Sequence, residues 1–127
     1  MDQQEEWLRE QFERCWPYIY AAISKMNEPY GREYLEKRIF EDHDAQFWPG
    51  MDCGIVTEIE VRQDGSKVLV GWLAGGSGIE IESMTPRIEA WGKSEGCVLS
   101  RLIQRPAYSR RPKPGYRMTA VVMEKEL

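Results

Sequence analysis

The chain has 127 residues, close to the usual size of one domain and too short to bury two independent cores. Hydrophobic residues make up 42% and charged residues 30%, with five tryptophans, a mixture that excludes an intrinsically disordered chain. A formal charge of −4 excludes an overall basic field of the kind that drives bulk nucleic-acid binding.

Cys15, Cys53 and Cys97 are odd in number and far apart, with no CxxC pair. Neither a disulfide framework nor a zinc site follows from that spacing, and free buried thiols in a reducing compartment are expected. The N-terminal MDQQEEWLRE is acidic and polar, unlike an export signal, and no stretch approaches the roughly 18 apolar residues of a spanning helix. A single domain over residues 1–127, with no membrane partner, is the expectation.

From Glu5 to about Met26, Trp7, Leu8, Phe12, Cys15, Trp16, Ile19, Tyr20 and Ile23 recur at three- and four-residue steps and predict an amphipathic helix. Pro17 predicts a kink in it, or two shorter helices meeting there. Asn27 to Gly31 reads as a turn. A second helix is predicted from Arg32 to Phe40, ending at Glu41-Asp42-His43-Asp44.

Gln46 to Trp48 suits a short strand. Cys53 to Val61 places Cys53, Ile55, Thr57, Ile59 and Val61 on alternate positions, the period of a half-buried strand. The Asp64-Gly65 pair predicts a tight hairpin turn into a second strand, Lys67 to Leu73. Ala74 to Gly78 reads as a glycine-rich loop. A helix then ends near Ser94, with Thr85 and Pro86 as its expected cap and first residue, Ile79 to Met84 as a separate segment, and Glu95-Gly96 closing it. Cys97 to Ile103 is a predicted strand. Pro106, Pro112 and Pro114 leave room for a short helical turn at Ala107 to Arg111, and Tyr116 to Met123 alternates as a last strand. The fold class read from this order is α+β, a mixed sheet with N-terminal helices and one crossover helix.

Three groups of residues carry candidate chemistry. Glu58 and Glu60 share one strand face and are candidates for a general base acting through water, or for a solvated face. His43, flanked by Asp42 and Asp44, lacks further ligands for a metal, so a solvated helix-end turn is expected and no metal site. Arg101, Arg105, Arg110, Arg111, Lys113 and Arg117 gather basic charge beside Tyr108 and Tyr116. That cluster suits a phosphate or nucleic-acid contact, a surface for an acidic partner, or a loop neutralised by the acidic chain around it. The tryptophans are read mostly as core.

The order of two strands, a glycine-rich turn into a helix, a strand, a short segment and a final strand resembles the core of the GNAT N-acyltransferases. More specific is the run Ile88-Glu89-Ala90-Trp91-Gly92-Lys93-Ser94-Glu95-Gly96-Cys97, followed by Arg105-Pro106-Ala107-Tyr108, Pro114-Gly115-Tyr116-Arg117 and the terminal Glu124-Lys125-Glu126-Leu127. It resembles short GNAT-like proteins of tailed bacteriophages, over roughly Leu8 to Leu127. The resemblance implies a GNAT-like fold in which Gly75, Gly76, Ser77 and Gly78 would bind acetyl-CoA, Glu58 or Glu60 would orient a base water, and Tyr108 or Tyr116 would protonate the leaving thiolate.

Two departures stand against that activity. No Arg or Gln precedes the glycines, and Glu80 and Glu82 follow where pyrophosphate would lie. Neither Tyr108 nor Tyr116 sits in a defining motif. The expectation is therefore a non-catalytic, virion-associated structural or binding protein with no cofactor, working with other phage or virion proteins in the host cytoplasm or the virion. Active acetyl-CoA-dependent transfer and nucleic-acid contact are the alternatives, and a homo-oligomer is left open.

Overall fold

The computed structural model describes residues 2–26, 29–105 and 113–127. Helix α1 spans Gln3–Met26, and α2, Arg32–Glu36, runs straight into a π-helical turn, Lys37–Glu41. Strands β1 (Gln46–Pro49), β2 (Cys53–Val61) and β3 (Lys67–Gly76) follow, then α3 (Gly78–Ser94) and β4 (Cys97–Leu102). The sheet order is β1-β2-β3-β4; the first two pairings are antiparallel, and α3 carries the chain across to a parallel β4. This is the α+β architecture expected, with the single crossover helix in place.

Register assigns each side chain to a face. Val56, Val68 and Val70 lie beneath α1 and α2 with Phe12, Cys15, Ile19 and Leu35; Ile55 and Leu69 lie beneath α3 with Met84 and Ile88. Phe12 anchors the first layer, meeting Phe40 and Phe47 edge-on at centroid distances of 5.8 and 5.2 Å. The first half of β2 is buried on both sides, because helices cover both faces there, and the second half grades into solvent on both, so the alternation expected of a half-buried strand is not what burial shows. Trp72, Trp16, Trp48 and Trp91 belong to or pack against these layers, whereas Trp7 is exposed.

Four expectations need correction. Of the two outcomes open at Pro17, two shorter helices is overturned, since α1 is one element through Met26. Thr85 is not a cap: Ser77 is, taking the Glu80 N–H on its side chain, while the Thr85 hydroxyl donates to the Ile81 carbonyl inside α3 and Pro86 is interior. The strand β3 continues to Gly76, so Ala74 to Gly76 are not loop. Tyr116 to Met123 forms no strand; the segment from Arg117 onward is exposed, and β4 is the sheet edge among the described residues. The hairpin turn and the Gly96 cap are as expected, with φ of 86° at Gly65 and 91° at Gly96. The Ala107 to Arg111 turn lies outside the described residues, as does part of the Asn27 to Gly31 turn.

Candidate functional site

The sheet opens between β3 and β4. Their pairing runs only from Lys67 opposite Cys97 to Gly71 opposite Leu102, and the last link is the Ile103 N–H donating to the Gly71 carbonyl at 3.0 Å. Beyond it β3 continues without β4, paired only with β2, through Trp72, Leu73 and Ala74 to Gly76, then turns directly into α3. A shift in the β2–β3 register makes Trp72 an extra residue on β3 at this same level. The opening thus leads along a bare strand edge to a helix N-terminus, where the N–H groups of Gly78 and Ile79 have no intrahelical acceptor.

The glycines at this turn have work inside the fold. A Cβ at Gly75 would strike the carbonyl oxygen of Tyr18 in α1, and one at Gly76 would strike that of Asp52. Gly76 also sits at φ 102°, where only glycine is unstrained. Asp52 accepts the Ser77 N–H at 2.8 Å, tying the start of α3 to the β1–β2 connection.

Glu80 completes that tie. Its carboxylate accepts from the Met51 and Asp52 N–H groups at 2.9 and 2.8 Å. The Cys53 thiol and these two backbone donors hold the carboxyl below the usual glutamate range. Burial, with Glu80 beside it, pushes the Cys53 thiol up to about 12, so it stays neutral. The negative charge expected near the helix start is therefore turned back into the β1–β2 loop by internal donors.

Glu58 and Glu60 face the α1 and α2 side, in register with Val70 and Val68 of β3. Neither is free. The Arg38 guanidinium donates to Glu58 at 2.7 Å and to Asp44 at 2.9 Å while packing over Tyr34 and Trp72. Burial alone would lower the Arg38 pKa, but the bonds from Glu58 and Asp44 outweigh it and raise it. Arg101 in β4 donates to Glu60 at 3.0 Å across the outer part of the sheet.

Two solved structures are similar to this chain in fold. An acetyltransferase from Pyrococcus furiosus, described as putative, superposes with a TM-score of 0.55 at 20% identity, over 83% of this chain and 87% of that one. An aminoglycoside acetyltransferase from an uncultured soil metagenomic sample, solved in complex with sisomicin, gives 0.64 at 11% identity, over 97% of this chain and 91% of that one. The chain has the GNAT acetyltransferase fold. No family model matches the sequence, and no curated protein matches it.

Within the GNAT fold, Tyr116 is placed on the α3 side, opposite the face that carries Glu58 and Glu60. Its hydroxyl is 2.7 Å from Ser100 Oγ and donates to Glu89 Oε2 at 3.0 Å; Ser100 pairs with Leu69, one of the residues beneath α3. Burial pushes the phenol up, Ser100 opposes this, and Glu89 adds to it. Tyr116, one of the two tyrosines expected as acid, thus lies across the sheet from Glu58 and Glu60, and the other, Tyr108, lies outside the described residues.

The members of the basic cluster stand as follows. Arg101 is paired with Glu60, Arg105 has a partner of its own, Arg117 is exposed, and Arg110, Arg111 and Tyr108 lie outside the described residues. His43 is exposed at φ 55° in the helix-end turn, and no metal-binding group of side chains occurs among the described residues. Nor is any described helix long and apolar enough to cross a membrane.

Sequence reading missed Arg38, because an arginine in an amphipathic helix gives no sign of the strand carboxylate it will meet. It also missed the inward turn of Glu80, for which a glutamate three residues after a capping serine was the available signal.

Proposed function

We propose that this chain is a non-catalytic GNAT-fold protein that serves as a structural or binding component, in keeping with the resemblance of its C-terminal sequence to short tailed-phage proteins, and that its setting is the virion or the infected host. The observation that carries this reading is the internal use of the turn before α3. Gly75 and Gly76 are required by the carbonyls of Tyr18 and Asp52, and Glu80 is committed to the β1–β2 loop.

Acetyl-CoA fits these residues poorly. A pyrophosphate is bound by backbone donors at a helix start, and more strongly where a cation backs them. Gly78 and Ile79 offer the donors, but Leu73 and Ala74 precede the glycines where an Arg or Gln would assist, and Glu80 and Glu82 follow. On the sheet face beneath α1 and α2, the carboxylate of Glu58 accepts from Arg38 and is committed inside the fold.

One observation favours the second reading, transfer of an acetyl group from acetyl-CoA: the β3–β4 opening and the helix start at its end are retained. Calorimetric titration of the protein with acetyl-CoA and with CoA separates the two. The proposal expects no saturable heat up to about 1 mM ligand, and binding at about 10 µM or tighter would overturn it.

A further inference from the structure

We propose that the cleft between α1, α3 and the β1–β2 turn binds a small planar aromatic monoanion, its ring against Trp7 and its carboxylate on Arg87. This site is separate from the β3–β4 opening, and the proposal stands whether or not acetyl-CoA binds there.

Helical periodicity builds the two walls. Trp7, Gln11 and Arg14 recur along one side of α1 and Glu80, Ser83 and Arg87 along one side of α3. With the turn Pro49–Met51 they line a cleft of about 370 Å³. Opposite charges clamp both helices to that turn: Arg14 donates to the Gly50 and Met51 carbonyls at 2.6 and 2.8 Å, while Glu80 accepts the Met51 and Asp52 N–H groups. The middle of the turn carries no side chain, because a Cβ at Gly50 would strike the Cys53 thiol and the Glu80 carboxylate. The cleft is thus fixed in shape before any ligand arrives.

Two of the groups lining it have no use inside the fold. Trp7 is 54% exposed, belongs to neither core layer and meets no other ring among the described residues, whereas Trp16 on the same helix packs against Phe12 and Tyr20. Arg87 is exposed and has neither hydrogen bond nor ion pair among the described residues, whereas Arg14, Arg32, Arg38 and Arg101 are each bonded to an acceptor. One is an indole from α1 and the other a guanidinium from α3, and a single cleft joins them.

That pair selects a flat ring carrying an anion. The ring stacks on Trp7, and the carboxylate takes two parallel N–H bonds from the Arg87 fork. Gln11, whose side-chain carbonyl accepts from Arg14 Nε at 2.9 Å, keeps its amide NH2 as a further donor. Charge sets the valence: Arg14 and Arg87 against Glu80 leave one positive charge among the lining side chains, which a monoanion neutralises and a phosphate dianion exceeds. Size sets the class. The volume lies near the lower end of the range for small-molecule sites, roughly 300–1,000 Å³, which suits one or two fused rings and not a molecule as large as CoA.

Titration of the 15N-labelled full chain with naphthoate to about 5 mM tests the site. The expected result is saturable shifts at the Trp7 indole N–H and at the Gly50, Met51, Ser83 and Arg87 amides, with a Kd of about 0.1–1 mM. The uncharged amide of the same acid, and the variants Trp7→Ala and Arg87→Gln, are each expected to weaken binding about tenfold. No saturable shift, shifts centred on Gly78 and Ile79 instead, an uncharged amide that binds as tightly as the acid, or variants without effect would each overturn the proposal. The comparison of acid with amide uses the unaltered protein and stands whether or not the variants fold.

Discussion

The guanidinium of Arg38 holds the carboxylate of Glu58 at 2.7 Å, linking the π-helical turn to the middle of β2. Both side chains are largely withdrawn from water, at 17% and 32% exposure, and Asp44 shares the guanidinium. Arg38→Met leaves Glu58 without its partner and is expected to lower stability by about 1–3 kcal/mol in urea unfolding at pH 7. Arg101→Met, which breaks the open Glu60 pair, is expected to change stability by less than about 1 kcal/mol. Equal effects would mean that the Arg38 pair contributes no more than a surface contact.

Gly75→Ala and Gly76→Ala separate a packing role from a ligand role. Each forces a Cβ against a backbone carbonyl, and the second also strains a positive φ, so each is expected to cost about 1–3 kcal/mol or more. Thermal unfolding of the two variants reads this directly. A variant with wild-type stability would show that the glycine is kept for another purpose.

Glu80 sets a pH dependence. Its folded-state pKa is depressed, so its contribution is present above the ordinary glutamate range and is lost as pH falls through the lower, folded value. The difference in urea midpoint between wild type and Glu80→Gln is expected to persist from pH 7 to pH 5 and to shrink toward pH 3. A difference that stays constant with pH would remove the carboxylate's charge from the account.

The thiols titrate with the opposite sign. Cys53 is raised from 9.0 to about 12, so its contribution is complete below pH 9.0 and declines as pH rises through that window. In the native protein at pH 8, Cys97, which is partly exposed, is expected to react with an alkylating reagent first, with Cys15 and Cys53 protected until unfolding. Mass mapping of the alkylated sites decides this.

Periodicity made α1, β2, the Asp64-Gly65 hairpin and the order of elements legible, because each depends on a local repeat or on a residue tolerant of positive φ. The start of α3 was misplaced because Thr85-Pro86 imitates a helix start, whereas the true cap, Ser77, lies behind glycines that read as loop. The site was less legible than the fold. That Glu58 would meet Arg38, that Gly75 would back onto Tyr18, and that Tyr116 would lie across the sheet from Glu58 all follow from contacts distant in sequence. Tyr116 to Met123 has the composition of a strand, yet among the described residues no strand pairs with it.

The most direct test of the central claim watches the turn before α3. In 15N-resolved spectra of the labelled protein, addition of acetyl-CoA to about 1 mM is expected to leave the Gly78 and Ile79 amide signals where they are. Saturable shifts at those two amides would show that the helix start receives the pyrophosphate, and would contradict the reading of this chain as a GNAT fold turned to binding.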